Sequence, residues 1–432
     1  MKTFAVQTLG CKVNQVESET IIEDFLNQGY QLVRPDEPAD IYIINTCTVT
    51  HVSDRKSRAV IRRAVRRCPD ALVVVTGCMA QISHDTPEMP DGIDLLVGNR
   101  QKERLVEIVE SWLEGGSKRP DLSLPVAADK LKPVLYTHIH ERTRAFVKIQ
   151  DGCQSYCSYC IVPFARGPVR SKLPGDVVTE VRHLVEMGYR EIVFTGIHSG
   201  LYGMDLEGWN LPRLLRKVLE EVPGSYRLRT GSIEPLEVTL DLIALLAEDN
   251  RICRHLHIPL QSGSDRILQL MRRRYDSSYY RSLLESIADK IPDIGMAADV
   301  MVGFPSEDDS DFVQTYELLS DLPLLNLHVF KYSPRPGTKA FAMGDDVTAA
   351  IKQQRSEKLL ALAAAKHREF CQRFLGRQVE VLAERKTGEN HYRGFTENYM
   401  EVSFADTLDQ RGKTVKIVLQ GYDDDHLEGN VL

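Results

Sequence analysis

The sequence predicts an α/β protein with an N-terminal parallel-sheet domain, a central partial (β/α)6 barrel and a small C-terminal β-barrel. Continuous apolar runs within residues 1–115 have the character of buried parallel strands. From about residue 144 to 333, strand and helix patterns alternate through six β/α units, as in an open barrel. Short alternating runs separated by turn residues then indicate a small barrel over residues 373–432.

The N-terminal domain, residues 1–115, contains three apolar runs that we expect to be strands. These runs are Thr3–Gln7, Ile41–Ile44 and Leu72–Val75. Residues Gln15–Gln28 have the apolar spacing of a helix with one buried side. Strands and helices that alternate in this way favour a parallel sheet.

The central domain, residues 138–370, follows a linker at 112–135 that is rich in glycine, proline and charge. A long amphipathic helix, Ala349–Phe374, should close this domain and stop at Gly376, a residue suited to a helix C-terminus. The six barrel strands are expected to begin near Ala145, Glu191, Tyr226, His255, Met296 and Asn326. Strands of the last domain are expected at Val379–Val381, Met400–Val402 and Val415–Val418.

The composition indicates a cytoplasmic protein that is not basic as a whole. The net charge is −7, so any contact with nucleic acid must use a local patch. No apolar run reaches the roughly 20 residues of a membrane helix, and the first residues are not expected to be a signal peptide. Disulfides are not expected in that compartment, so the nine cysteines need another explanation.

Three cysteines lie close together as C-x3-C-x2-C, namely Cys153, Cys157 and Cys160. Thiolates at this spacing suit an iron–sulfur cluster. A four-iron cluster with three protein ligands keeps one iron open, which is the mark of a catalytic metal. The alternative is a zinc site with a distant fourth ligand such as His198 or Cys253.

Three further cysteines, Cys11, Cys47 and Cys78, each lie just past the end of a predicted strand. The carboxyl ends of parallel strands share one edge of a sheet, where ligands bind, so these thiols are expected to converge on one metal centre. The alternative is three unrelated loop cysteines. A structural role is expected for the remaining cysteines, Cys68, Cys253 and Cys371.

The loop Asp151–Cys160, including Tyr159 before its last cysteine, resembles the signature of the radical S-adenosylmethionine superfamily. The resemblance implies that Cys153, Cys157 and Cys160 hold a 4Fe-4S cluster whose open iron binds S-adenosylmethionine. One-electron cleavage of that cofactor would then yield a 5′-deoxyadenosyl radical. Further candidate cofactor contacts are Tyr159 and residues at other strand ends, namely Gly196, Ser232, Glu234, Gln261 and Ser262, although turn formation alone would also explain the latter.

Nearly the whole chain resembles the methylthiotransferase family. The matching stretches are Leu9–Gln15, Asn45–Thr50, Gly77–Gln81, the cysteine loop, Pro259–Ser264 and Tyr332–Thr338. The resemblance implies that Cys11, Cys47 and Cys78 bind an auxiliary 4Fe-4S cluster that carries the sulfur to be inserted. A second S-adenosylmethionine would methylate this sulfur before a methylthio group is joined to an unactivated carbon.

The segment Gly10–Asn14 resembles the branch that modifies C2 of N6-threonylcarbamoyladenosine, 3′ of the anticodon in tRNA. Alternatives are the isopentenyladenosine branch and the branch that acts on a ribosomal-protein aspartate. A different class of alternative is a non-catalytic RNA-binding protein with structural metal. The sequence identifies neither the electron donor nor the sulfur source.

A basic stretch, Arg55–Arg67, contains no acidic residue and follows Cys47. As a helix it would carry positive charge that holds RNA phosphates, and a solvated basic face is the alternative. Its predicted RNA contacts are Arg55, Arg58, Arg62 and Arg66. The C-terminal barrel resembles the TRAM domain, a small RNA-binding barrel.

Overall fold

The computed structural model describes residues 1–83, 89–115, 122–137, 142–423 and 425–432. These residues form two compact units. The first, here called the N-terminal unit, comprises Met1–Thr137, Gln150–Ser171 and Ser333–Phe341. The second, here called the barrel unit, comprises His138–Ile149, Lys172–Tyr332 and Ala342–Leu432. The predicted domain boundary at residue 138 lies outside the described residues, and the three-domain division stays a prediction.

The strands are β1 Thr3–Thr8, β2 Gln31–Leu32, β3 Ile41–Thr46, β4 Leu72–Gly77, β5 Leu95–Val97, β6 Arg144–Lys148, β7 Gln150–Asp151, β8 Arg170–Ser171, β9 Glu191–Thr195, β10 Arg227–Thr230, β11 His255–His257, β12 Gly295–Val302, β13 Asn326–Lys331, β14 Gln378–Lys386, β15 His391–Thr396, β16 Glu401–Ala405, β17 Thr414–Asp423 and β18 His426–Val431. The α-helices are α1 Lys12–Asn27, α2 His51–Arg67, α3 Cys78–Ser83, α4 Leu105–Leu113, α5 Val162–Arg166, α6 Pro174–Glu186, α7 Leu211–Glu221, α8 Leu240–Glu248, α9 Asp265–Leu270, α10 Ser277–Lys290, α11 Asp309–Asp321, α12 Lys339–Ala342 and α13 Ala349–Gln372.

The N-terminal unit contains a parallel five-stranded sheet in the order β2-β1-β3-β4-β5. Successive residues of β3 are buried on opposite faces: Ile43 packs with Phe25 of α1, and Ile44 packs with Ile61 of α2. Burial on both faces explains why the central strands are continuously apolar. The predicted parallel-sheet domain is therefore confirmed, and α1 begins at Lys12 rather than at Gln15. Strands β2 and β5 were not predicted, because they are only two and three residues long and are too short to show a periodic pattern.

The barrel unit contains six parallel strands. They pair as β10-β9-β6 and β11-β12-β13. Isolated parallel bridges join Leu228 to Ile252 and Ser232 to His257, which connects the two groups into one curved sheet. The partial (β/α)6 barrel expected from the sequence is thus present, with each strand beginning close to its predicted position.

The C-terminal segment closes into a barrel in the order β14-β15-β16-β18-β17. Phe370 and Phe374, at the end of α13, pack into its apolar core. The predicted small β-barrel is confirmed, but the sequence indicated only three of its five strands. Strands β15 and β18 contain charged and glycine residues that interrupt the apolar alternation. Across the ranges that the structure describes, no helix combines the length and apolar character needed to cross a membrane.

Candidate cluster and cofactor sites

Cys11, Cys47 and Cys78 follow three adjacent strands of the N-terminal sheet. Cys11 precedes α1, Cys47 comes directly after β3, and Cys78 begins α3 directly after β4. Because β1, β3 and β4 are parallel and in register, their carboxyl ends lie at one edge. Burial raises the pKa of the Cys47 thiol, and the nearby Cys78 and Cys11 thiols raise it further. The sheet therefore brings the three predicted ligands together.

Two glycines allow the loops of this edge to approach each other. Gly10 has φ +102°, and a Cβ atom there would lie 2.6 Å from Cys47 Cβ and 3.0 Å from Cys47 Sγ. Gly77 has φ +96°, and its Cβ would lie 2.4 Å from the carbonyl oxygen of Thr46. A side chain at either position would meet both steric overlap and an unfavourable backbone conformation.

The fully buried Arg166 connects this cysteine edge with the second cysteine loop. Its Nε donates to Cys78 Sγ at 3.4 Å, and its Nη2 donates to Asn14 Oδ1 at 2.5 Å. Its Nη1 contacts Glu17 Oε1 at 2.5 Å and Asp151 Oδ1 at 3.2 Å. One guanidinium thus contacts a predicted auxiliary ligand and the aspartate that starts the Asp151–Cys160 loop.

Further buried cations belong to this polar cluster. Lys102 Nζ lies 2.5 Å from Glu17 Oε2 and 3.4 Å from Asn45 Oδ1. Burial lowers the pKa of Lys102, and the Glu17 carboxylate opposes that shift. The buried Arg170 is a third cation, with its Nη2 3.0 Å from Asp151 Oδ2. Three cations therefore face Glu17 and Asp151, and removing one partner would disturb the balance of buried charge.

The loop with Cys153, Cys157 and Cys160 lies between β7 and α5. Cys153 N donates to Gly167 O at 3.0 Å, and Cys160 N donates to Cys157 O at 3.0 Å. Gly152 has φ +79°, and a Cβ there would lie 1.9 Å from Pro168 O. Tyr159 is partly exposed in the same loop. Backbone bonds and one close approach therefore shape this trio locally.

Residues Ser333–Phe341 contact both cysteine loops of the N-terminal unit. Arg335 Nη1 donates to the carbonyl oxygen of Thr48, the residue after Cys47, at 3.0 Å. The same nitrogen lies 2.5 Å from Oδ2 of Asp54, in the first turn of α2. Ala340 N donates to Ser158 O at 2.7 Å. Arg335 is buried, yet its Nε and Nη2 find no hydrogen-bond partner among the described residues.

The donor set of both trios fits iron–sulfur clusters. Thiolates are the ligands that such clusters take from proteins. The unpartnered donors of Arg335 and the Arg166 contact to Cys78 also suit a group of net negative charge.

The predicted cofactor contacts of the barrel unit follow the carboxyl ends of its strands. Gly196 comes directly after β9 and is partly exposed, and Ser232 is exposed. Burial raises the pKa of Glu234, whose carboxylate pairs with Arg273. Gln261 has φ +73°, and Ser262 Oγ lies 3.3 Å from Thr315 Oγ1 of α11. Their roles towards S-adenosylmethionine stay predictions.

The basic stretch forms most of α2, which begins after the N-cap Thr50. Arg55, Arg62 and Arg66 are exposed, and Arg58 is partly exposed. Their spacing places these four arginines on one side of the helix. The opposite side is buried, with Ser57, Ile61 and Ala64 among its residues.

The remaining cysteines are Cys68, Cys253 and Cys371. Burial raises the pKa of Cys253 and of Cys371 to about 12, as expected for thiols with a structural role. Cys68 contacts the Tyr42 hydroxyl at 3.7 Å. His198, the other candidate fourth ligand of a zinc site, has its Nε2 2.7 Å from Glu237 Oε2.

Sequence reasoning missed the charged residues that surround the cysteines. One signal was available, because Glu17 falls within the buried stripe of α1 between Val13 and Ile21. The others come together only through long-range contacts. The missed residues are Glu17, Asp54, Lys102, Arg166 and Arg335.

Two family models match the chain: "Uncharacterized protein family UPF0004" at residues 3–98, and the radical SAM superfamily at residues 147–319. A "Threonylcarbamoyladenosine tRNA methylthiotransferase MtaB" of Bacillus subtilis is 39% identical, over 96% of this chain and 93% of the relative. Its namesake from Aquifex aeolicus is 36% identical, over 96% and 99%. A "tRNA-2-methylthio-N(6)-dimethylallyladenosine synthase" of Protochlamydia amoebophila is 31% identical, over 100% and 96%.

Solved structures show the same fold at low sequence identity. The radical S-adenosylmethionine methyltransferase TsrM of Kitasatospora setae, with cobalamin and a 4Fe-4S cluster bound, matches with TM-score 0.60 and 15% identity. That match covers 79% of this chain and 74% of the other. Fold, radical SAM domain and near-complete similarity to named relatives agree, and the chain belongs to the methylthiotransferase family of radical S-adenosylmethionine enzymes.

Proposed function

We propose that this enzyme inserts a methylthio group at C2 of N6-threonylcarbamoyladenosine, 3′ of the anticodon in tRNA. The observation that carries the proposal is the presence of two cysteine trios in one compact unit. The relatives named for threonylcarbamoyladenosine, at 36–39% identity, support this acceptor. The reaction needs two 4Fe-4S clusters and S-adenosylmethionine, and a cytoplasmic location is part of the proposal because the substrate is a tRNA.

Each trio has a distinct role in this proposal. Cys153, Cys157 and Cys160 would hold the cluster that binds S-adenosylmethionine, and the other trio would hold the auxiliary cluster. When bound, these groups supply the one-electron chemistry that functionalises an unactivated carbon. The chain's own residues position them: Gly10 admits the close approach of the Cys47 loop, and Arg166 keeps positive charge at Cys78.

Contact with tRNA is assigned to the exposed arginines of α2. Guanidinium groups along one side of a helix neutralise phosphates and release counterions. Arg55, Arg62 and Arg66 are exposed and available for this contact. The TRAM-like C-terminal barrel is a second predicted RNA contact.

Isopentenyladenosine in tRNA is the second candidate acceptor. A relative from Protochlamydia amoebophila, named for the dimethylallyl nucleoside, is 31% identical over the full chain. A non-catalytic RNA-binding role is set aside, because the chain belongs to an enzyme family. The ribosomal-protein acceptor remains the third candidate.

Mass spectrometry of tRNA nucleosides from cells with and without the gene tests the proposal. Deletion should remove 2-methylthio-N6-threonylcarbamoyladenosine, and the unthiolated nucleoside should accumulate. Restoring the wild-type gene should return the methylthio product, whereas a Cys157→Ala gene should not. Loss of the methylthio-isopentenyl nucleoside instead would select the second acceptor, and an unchanged tRNA profile would contradict any tRNA acceptor.

A further inference from the structure

His257, Asp299 and His328 form a compact polar cluster on three adjacent strands, β11, β12 and β13. His257 Nε2 lies 2.7 Å from Asp299 Oδ1, and His328 Nδ1 lies 3.2 Å from the same oxygen. The two imidazole rings meet edge to face with centroids 4.8 Å apart. One carboxylate oxygen therefore holds both rings in a defined orientation.

This cluster faces the inside of the barrel. On β12, Val300 and Val302 are fully buried, whereas the alternate residues Asp299 and Met301 are partly exposed. On β13, Lys331 contacts Gln353 of α13. Side chains alternate between the two faces of a strand, so His328 and Phe330 point to the face away from that helix. Helices surround a β/α barrel, and the face without helices is its interior.

The interior is covered at the amino ends of the strands. Tyr399 of the C-terminal segment stacks on His255 at 4.7 Å, two residues before His257. Arg229 donates to Thr396 O at 3.1 Å and to Glu397 O at 2.8 Å. A ligand must therefore reach the cluster from the carboxyl ends, where Ser232 forms a bridge with His257.

An aromatic surface lies next to the cluster on the same face. Phe330 pairs with Met301, as His328 pairs with Asp299, so the two side chains of β13 are neighbours along the strand. Phe330 is 47% exposed as a residue, and the His328 side chain is 44% exposed. Exposed aromatic rings beside oriented polar groups are the usual means of binding an unstacked base.

We infer that this cluster recognises the N6 substituent of the acceptor adenosine and selects threonylcarbamoyl over hydrocarbon substituents. The inference rests on the proposed function. A threonylcarbamoyl group offers a carboxylate, a hydroxyl and urea N–H groups, whereas an isopentenyl group offers no hydrogen-bonding atom. Each imidazole has a second ring nitrogen, which accepts from a hydroxyl or N–H when neutral and donates to a carboxylate when protonated. Phe330 provides the surface on which the adenine stacks.

The same three residues are also a donor set for a metal ion. Hydrogen bonds of 2.7 and 3.2 Å to one carboxylate oxygen already satisfy the facing nitrogen atoms without an ion. The exposed ring and the adjacent Phe330 are features of a site for an organic ligand. The cluster is therefore assigned to the nucleoside.

The test compares three anticodon stem-loop RNAs that differ only at the acceptor, which is N6-threonylcarbamoyladenosine, N6-isopentenyladenosine or adenosine. Wild-type enzyme should bind the threonylcarbamoyl RNA about tenfold or more tightly than either of the others, because hydrogen bonds to charged groups are at stake. His328→Leu should reduce this affinity ratio to near one. His328→Asn, which keeps an N–H group, should restore part of it. His183→Leu, at a partly exposed histidine of α6, is the matched control and should keep the full ratio.

The ratio separates recognition from unfolding, which would weaken binding of all three RNAs alike. A full ratio in a His328→Leu enzyme that keeps the wild-type iron content, or a wild-type ratio near one, would overturn the inference. Product formation by wild-type enzyme on the threonylcarbamoyl RNA is measured in parallel. If product forms while His328→Leu keeps the ratio, only this inference fails, whereas absence of product from all cluster-loaded wild-type preparations would contradict the proposed function itself.

Discussion

The two cysteine trios are assembled by different means. Cys153, Cys157 and Cys160 belong to one loop, and short-range backbone bonds such as Cys160 N to Cys157 O shape it. The other trio, Cys11, Cys47 and Cys78, comes from three separate parts of the chain. These parts are neighbours only because the parallel strands β1, β3 and β4 have their carboxyl ends at one edge of the sheet. The local trio depends on a few turns, whereas the distributed trio depends on sheet register and on close contacts between loops. Perturbing the fold should therefore affect the distributed trio first.

The largest effects should come from removing single ligands. Cys157→Ala should abolish formation of 5′-deoxyadenosine and of product, because its trio is the predicted binding site for S-adenosylmethionine. Cys47→Ala should keep 5′-deoxyadenosine formation but stop sulfur insertion. Each variant should lose about half of the bound iron, which iron analysis after reconstitution measures, with Cys68→Ser as a control that keeps it all. Sulfur insertion by Cys47→Ala would show that the auxiliary assignment is wrong.

A steric change at Gly10 should affect the auxiliary cluster and spare the other cluster, without removing a ligand of either. In Gly10→Ala the new Cβ would overlap Cys47 Cβ at 2.6 Å, so the auxiliary cluster should be lost and the other retained. The matched control is Gly29→Ala, which has a similar positive φ of +83° but no atom within 4 Å of its Cβ. Backbone strain of about 1–2 kcal/mol is common to both variants. Iron content equal in both variants would refute the importance of the close approach.

A smaller effect should follow from Arg166→Lys, which keeps a positive charge but removes the hydrogen bond from Nε to Cys78 Sγ. Positive charge and hydrogen bonds to cluster sulfur favour the reduced state, so the reduction potential of the auxiliary cluster should fall. A lost bond of about 1.4 kcal/mol corresponds to roughly 60 mV for one electron. Redox titration followed by electron paramagnetic resonance measures this shift, in a Cys157→Ala background that isolates the auxiliary cluster. An unchanged potential would limit Arg166 to a structural role.

The smallest effect on either trio should come from Arg62→Glu combined with Arg66→Glu, because both side chains are exposed. The double variant should keep both clusters and weaken tRNA binding, with a salt dependence reduced by about one unit of slope per lost phosphate contact. Arg182→Glu with Lys290→Glu makes the same charge change on helices of the barrel unit and should bind as wild type does. Equal affinity of both double variants across salt concentrations would show that α2 is only a solvated face.

Most of the fold was predictable because its signals are local. Buried apolar runs marked β3 and β4, and six β/α alternations marked the barrel. Very short strands such as β5, and strands interrupted by charge such as β15, gave no comparable signal. The candidate cysteine ligands were predictable from their spacing, from their positions at strand ends and from family resemblance. The charged side chains around them, such as Arg166 and Arg335, were not predictable.

The sequence by itself determined the class of fold, the local cysteine loop and the family, since each depends on residues that are near one another in the chain or on ordered motifs. Only the tertiary structure decided which distant groups meet. Arg166 contacts Cys78, and His257 shares Asp299 with His328, because strand register and helix packing bring them together. These contacts join positions that no periodicity links, and their energies depend on burial, which is a property of the folded chain alone.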